Sequence, residues 1–239
     1  MHNERKSEVN TMEQTKASNC AMCPFQEPDR LCWNEKGRGP AGCGTAQYPE
    51  ACRDACAEME ADPELMRFAA EASRQEAACY GISPYAPEMR QPLKPRIMEI
   101  IEFAKRMGYH RLGLAFCLGL RTEARALCEI LESHGFEVVS VCCKVGRVDK
   151  TFLGLREDEK IFSGLEPMCN PITQAKILNE EKCEFNLMLG LCVGHDSMFL
   201  KHIEGYVTVV AVKDRLLGHA PLNALYSNYY KYLKKPGEK

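Results

Sequence analysis

Fourteen cysteines in 239 residues carry the chemistry this chain offers. Cys20 and Cys23 form a C-x2-C pair, and Cys32, Cys43, Cys52 and Cys56 follow before residue 60. Thiolates ligate soft metals. A zinc ribbon brings two C-x2-C knuckles, each turn giving two thiolates, and this chain has only one. Four scattered thiolates from Cys20, Cys23, Cys32 and Cys43 also suit a [4Fe–4S] cube. The spacing leans toward iron–sulfur, with zinc the alternative. Cys52 and Cys56, four apart, share a face of any helix there and are either reserve ligands or packing residues.

A second group is scattered in sequence: Cys117, Cys143, Cys169 and Cys192. What they can do depends on the elements that place them. From about residue 62 the chain becomes periodic. Asp62-Pro63 is a helix start, with an N-cap acceptor and Pro at N1, and that helix runs to about Cys79. After Pro95, the residues Ile97, Ile100, Ile101, Ala104 and Met107 mark an apolar stripe that Gly108 closes. Strands are expected at 111–118, 136–143, 185–192 and 206–212. Helices are expected at 122–134 with Thr122 as N-cap, 170–182, 196–202 and 221–232. Apolar strands alternating with helices mean a parallel sheet covered on both faces. The expected fold class is α/β: a Rossmann-like three-layer parallel sheet with a small N-terminal Cys-rich metal-binding segment. The expected organisation is a disordered polar lead over 1–18, a Cys-rich metal- or cluster-binding segment over 19–60, a helical connector over 61–110, and the α/β domain with its strand-end cysteine site over 111–232.

On that skeleton Cys117, Cys142, Cys143 and Cys192 fall at carboxyl ends of strands, and Cys169 just before a helix. Ligands of parallel α/β sheets bind outside those ends, at the topological switch point. With strands ordered 2-1-3-4, Cys117 and Cys192 face each other across the switch, joined by Cys143 and Cys169. Adjacent Cys142 and Cys143 point to opposite faces, so one of them reaches the site. Cys128, on the inner face of a helix, reads as packing.

Polar residues crowd the same edge. His195 is a candidate ligand, proton donor or hydrogen-bond donor to sulfur. Asp196 is either catalytic beside it or an N-cap, and Asn170 before Pro171 is a helix entry or a contact to a bound group. Lys144, Lys213, Arg215 and His219 are candidates for binding an anionic substrate or offsetting the charge of a thiolate-bound cluster. The segment CLGLRTE after the first strand of the sheet is no G-x-G-x-x-G, and no P-loop occurs, which argues against a dinucleotide.

Composition narrows the classes. A disulfide scaffold is a short secreted chain, whereas the first residues here lack the apolar core of a secretory signal. No apolar run approaches the ~20 residues of a membrane span. A net charge of −2 leaves no footprint for nucleic acid or an anionic membrane. The expectation is a cytoplasmic protein whose thiols stay reduced.

Several stretches resemble a family of cysteine-rich, predicted metal-binding proteins, the domain-of-unknown-function family DUF1847. They are Cys20-Ala-Met-Cys23, AFCLGLRTEA around Cys117, CKVG from Cys143, MCNPITQA around Cys169, LCVGHDSMF around Cys192, and KDRLLGHAPLNALY from Lys213. The resemblance implies an α/β fold and metal binding, selects Cys143 over Cys142, and implies no reaction.

Three functions compete. The first is an iron–sulfur protein with an N-terminal four-cysteine cluster and a second cluster at the sheet edge, for electron transfer or reductive chemistry on a small molecule. The second is a zinc-stabilised α/β module that binds a metal or ligand without redox activity. The third is metal-free thiol chemistry at Cys143 or Cys192, which needs a lowered thiol pKa.

Overall fold

The computed structural model describes residues 17–227 and 233. The chain divides into two compact units, residues 1–69 and 70–239.

The first unit begins with short turns. Cys20–Met22 and Glu27–Asp29 are single 3-10 turns, followed by α1 (Gly44–Gln47) and α2 (Pro49–Ala61). Two stretches are tied together where the Asn19 N–H donates to the Gly42 carbonyl at 3.0 Å, and further on Leu31 donates to Arg38 at 3.0 Å. No residue of α2 is buried, and Cys52 and Cys56 are exposed on it.

Helix α3 (Pro63–Ala78) begins as its sequence predicts, with Asp62 Oδ1 accepting from the amides of Glu64 and Leu65 at 2.9 and 3.1 Å. A short antiparallel hairpin of β1 (Tyr80–Ile82) and β2 (Arg90–Pro92) then interrupts the helices. Its three-residue strands carry too little alternation to be read in advance. Helix α4 (Arg96–Met107) buries the expected stripe and ends at Gly108, whose φ of 74° is the left-handed cap that glycine adopts freely.

The α/β part follows as β3 (Arg111–Phe116), α5 (Arg121–Ser133), β4 (Glu137–Cys142), α6 (Pro171–Glu180), β5 (Phe185–Leu189), α7 (His195–His202), β6 (Val207–Ala211) and the short α8 (Asn223–Tyr226). The four sheet strands run in the order β4-β3-β5-β6, all parallel. This is the expected order. All five residues of β5 are buried, as a strand covered on both faces must be.

Side-chain alternation splits the core into two layers. Ala115, Val141, Cys143 and Met188 pack with Ala175 and Leu178 of α6 and Phe199 of α7. On the opposite face Phe103 of α4 meets Phe185 at 5.5 Å between ring centroids. The chain is thus a Rossmann-like α/β fold.

Several boundaries differ from expectation. The strands stop earlier at their carboxyl ends: β5 ends at Leu189, followed by Gly190 with φ 66°, whose N–H still donates to the Ala211 carbonyl at 2.7 Å. Helix α5 starts at Arg121 with Leu120 at its N-cap, so Thr122 lies inside the first turn and caps nothing. Helix α7 starts at His195 with Gly194 at its N-cap, and Asp196 instead accepts from the Ser197 amide at 2.7 Å. Of the helix expected over 221–232, residues 223–226 are helical, and the remainder lies largely outside the described residues. Among the described helices none is long and apolar enough to cross a membrane.

Candidate metal centre

The carboxyl edge of the sheet is shaped by the in-register pairing of β3 and β4. Phe116 pairs with Cys142, and the Cys143 N–H donates to the Phe116 carbonyl at 2.9 Å. Cys117 and Cys143 therefore leave the sheet side by side, and Cys143 lies on the α6 face with 2% exposure.

Cys169 is brought to the same place by a long excursion between β4 and α6 whose ends are pinned together. Asp149 and Pro167 form an antiparallel bridge. The Met168 N–H donates to Val148 at 2.7 Å, and the Asn170 N–H donates to the Cys143 carbonyl at 2.8 Å. Inside the excursion Lys150 pairs with Glu166 at 2.7 Å, and Lys160, its side chain 2% exposed, pairs with Glu157 at 2.6 Å. Asn170 Oδ1 accepts from the Thr173 amide at 3.1 Å and caps α6, so this side chain is used in positioning Cys169.

The result is a row of sulfurs. Cys169 Sγ and Cys143 Sγ are hydrogen-bonded at 3.8 Å, and the Cys143 thiol also contacts Cys117. The backbone supports the row, since the Leu118 N–H donates to Cys143 Sγ at 3.3 Å and the Gly119 N–H serves Cys117. The Cys143 thiol, with Gly119 and then Lys213 beside it, pulls the Cys117 pKa down to about 5. The Cys143 thiol, then the His195 imidazole and Lys144, pull Cys169 down to about 4. Cys143, between two developing thiolates, is driven strongly upward. Cys143 thus keeps its proton and donates it to whichever neighbour ionises first.

The polar residues occupy definite places around this row. Cys169 beside it raises the His195 pKa, and His195 Nδ1 is buried without a hydrogen-bond partner among the described residues. The Lys213 ammonium lies 3.5 Å from where a Cβ on Gly119 would stand. Lys144 Nζ is anchored on the Pro167 carbonyl at 2.5 Å. Cys192 stands apart from the other three thiols in its contacts, with Arg215 Nη2 donating to its sulfur at 3.1 Å. His219 Nδ1 accepts from the Asp214 amide at 3.1 Å, and Asp214 Oδ1 accepts from Leu216 and Leu217. His219 therefore shapes its own loop.

One contributor is absent from the sequence expectations. Gln174, fully buried on α6, donates from Nε2 to Val141 O at 2.7 Å and to Phe116 O at 3.2 Å. These carbonyls precede the two strand-end cysteine positions. The sequence does carry a signal for it: Pro171, Gln174, Ala175 and Leu178 form one buried helical stripe with a single amide among apolar residues.

In the N-terminal unit the Cys20–Cys23 turn is closed by a Cys23 N–H to Cys20 O bond at 3.2 Å. The Gly44 N–H, then Ser18, lower the Cys20 pKa. A Cβ on Gly44 would stand 3.5 Å from Cys20 Sγ, so the backbone just after Cys43 lies against the Cys20 sulfur. Cys43 is buried, Cys23 half-buried and Cys32 exposed.

All 14 thiols are free. Among the described residues no three His, Cys, Asp or Glu side chains converge closely enough, as they stand, to enclose one metal ion. At the sheet edge the sulfurs form a row joined by thiol hydrogen bonds, and metal binding displaces such protons. The donor set suits a thiophilic metal: three contacting thiols, two of them with depressed pKa, two N–H groups on sulfur, and an imidazole with an unused buried nitrogen.

Residues 43–210 match a family model described as protein of unknown function (DUF1847). An uncharacterized protein of Methanocaldococcus jannaschii is 46% identical over 154 residues, covering 64% of this chain and 77% of that protein. The span matched by the family model contains the whole thiol row and Cys192, and leaves Cys20, Cys23 and Cys32 outside it. The chain therefore belongs to the family of proteins of unknown function DUF1847.

Proposed function

We propose that the protein binds a thiophilic metal at the carboxyl edge of its sheet, with Cys117, Cys143 and Cys169 as ligands and His195 as the fourth. The observation that carries this reading is the contact between Cys143 and Cys169. Two thiolates at about 2.3 Å from one tetrahedral metal stand about 3.8 Å apart, and these sulfurs are 3.8 Å apart. The reading therefore favours a single ion of zinc type here. Zinc held by all four of these ligands would supply folding energy to the sheet edge. The chain itself holds the thiols with N–H groups, keeps Cys143 out of water, and places Lys144 and Lys213 to offset thiolate charge.

An iron–sulfur cluster is the second reading. The same N–H groups on sulfur and the nearby Lys144, Lys213 and Arg215 support it, because hydrogen bonds and charge at the sulfurs tune a cluster's potential. The protein then serves electron transfer or reduction of a small molecule, with Cys192 joining the ligands. In either reading Cys20, Cys23 and Cys43, with Cys32, bind a second metal that staples the N-terminal unit. Both readings need a reducing, cytoplasmic setting, and neither calls for a nucleic-acid or membrane partner.

Metal and acid-labile sulfide analysis on anaerobically purified protein tests them. Stoichiometric zinc without sulfide supports the first reading. A brown protein that bleaches with dithionite supports the second. A protein that takes up neither metal after anaerobic reconstitution overturns both.

A further inference from the structure

We propose that Cys143 and Cys169 form an oxidation site, a dithiol that hydroperoxides convert to a disulfide. Their sulfurs already touch at 3.8 Å. Their backbones are tied by the bond from the Asn170 N–H to the Cys143 carbonyl, 2.8 Å long, and by the bridge of Asp149 to Pro167 behind it. Closing the sulfurs to about 2.05 Å needs side-chain rotation more than backbone travel. Cys117 also contacts Cys143, but these two leave adjacent strands, which the ladder holds about 4.8 Å apart with parallel Cβ directions. A disulfide wants Cβ atoms about 3.8 Å apart. Cys169, in the turn before α6, is free of that ladder.

The two sulfurs are prepared for different roles. Cys169 is the more exposed of the two, in the turn before α6 with His195 and Lys144 beside it, which makes it the thiol that meets the oxidant. Cys143 is 2% exposed, out of reach of the oxidant and in contact with Cys169, which makes it the resolving thiol. The Cys169 thiolate attacks one oxygen of the hydroperoxide and the O–O bond breaks. The leaving oxygen takes up the proton that Cys169 gave up, relayed through the adjacent His195, and Cys169 becomes a sulfenic acid. Cys143 sulfur then attacks Cys169 Sγ, the S–O bond breaks, and hydroxide leaves as water with the Cys143 proton. With hydrogen peroxide, two thiols and one oxidant give one disulfide and two waters.

The dithiol chemistry stands apart from the metal reading. Its consequence for a bound metal rests on that reading: the disulfide consumes two of the ligands, so the metal leaves.

The test treats the full-length protein with stoichiometric hydrogen peroxide, blocks the remaining thiols by alkylation, and maps disulfide-linked peptides while recording metal release. The expected result is a peptide pair joining Cys143 to Cys169, lost on adding dithiothreitol. In Cys143→Ser, Cys169 should instead accumulate as a sulfenic acid that dimedone traps. A link from Cys143 to Cys117, or Cys169 carried to sulfinic acid without any link, overturns the proposal. So does peroxide treatment that leaves both thiols reduced. A 143–169 link in a protein that never held metal sinks the metal reading and leaves this one intact. Bound metal without a link does the reverse.

Discussion

Gln174 Nε2 donates to the Val141 carbonyl at 2.7 Å, from a side chain with no exposure to water. The same nitrogen reaches Phe116 O at 3.2 Å. A single amide on α6 thus clamps the ends of β3 and β4 at the point where Cys117 and Cys143 leave the sheet. Its own Oε1 has no partner among the described residues. That imbalance separates two substitutions. Gln174→Leu keeps the volume, deprives one buried carbonyl of its donor and removes one unsatisfied oxygen, so a net loss of about 1 kcal/mol is expected. Gln174→Ala adds a cavity to the same loss and should cost about 2–4 kcal/mol. Urea unfolding measures both. Metal affinity should fall about 10–100-fold in each, as when a group orienting a ligand is removed. Equal stability loss in the two variants would count against the clamp.

Gly190 follows β5 with φ 66°, and a Cβ there would stand 2.1 Å from Leu120 Cδ1. Leu120 is 4% exposed and has little room to move. Gly190→Ala therefore combines left-handed strain with overpacking, each about 1–3 kcal/mol. Gly135, with φ 89° and open space around its Cβ position, isolates the strain alone. Thermal unfolding should show a larger Tm loss for Gly190→Ala than for Gly135→Ala.

The sheet was legible because its strands are apolar runs of five or six residues separated by helices with clear caps. Asn170-Pro171 and Met107-Gly108 mark helix ends by chemistry that acts within a few residues. The gathering of thiols at one edge followed from the topology of parallel sheets. What stayed hidden depends on contacts far apart in sequence. Nothing local announces that Asp149 bridges Pro167, yet this closure is what sets Cys169 beside Cys143. The excursion also inverts the usual pattern, with Lys160 and Glu166 inside and Phe152, Ile161, Phe162 and Leu165 exposed. A hydrophobicity profile misreads such a segment. Nor does anything local announce that Arg215, in the loop after β6, donates to the Cys192 sulfur.

Acid should open the excursion at a definite point. The Thr151 hydroxyl and amide, the Glu166 amide and Lys160 hold the Asp149 pKa down to about 2. Because the folded value lies below the ordinary carboxylate value near 4, its stabilising effect is complete above that ordinary value. It is lost as pH falls through about 2. Glu157 and Glu166 are lowered too and act in the same direction. Hydrogen exchange read against the β3–β5 amides should show residues 148–167 losing protection first as pH falls from about 4 to 2. Asp149→Asn keeps an acceptor for the Thr151 amide but no titrating group there, so the pH step should shrink. An unchanged step would assign it to the glutamates.

Ligand identity can be separated from mere burial with five serine variants. Cys143 is central to the row, in contact with both Cys117 and Cys169. Cys143→Ser should abolish stoichiometric metal at the sheet edge. Cys142, its neighbour in sequence, is the half-buried last residue of β4, and Cys128 lies half-buried on α5, with burial raising its pKa. Cys142→Ser and Cys128→Ser should retain metal. Cys192→Ser is the informative case. Its sulfur is held by Arg215 at 3.1 Å, so under the three-thiol and imidazole reading metal content should persist, while His195→Ser should lower affinity. If Cys192→Ser loses metal as completely as Cys143→Ser and His195→Ser does not, four cysteines hold the group. The side chain of Cys192 must then leave Arg215 when the metal enters.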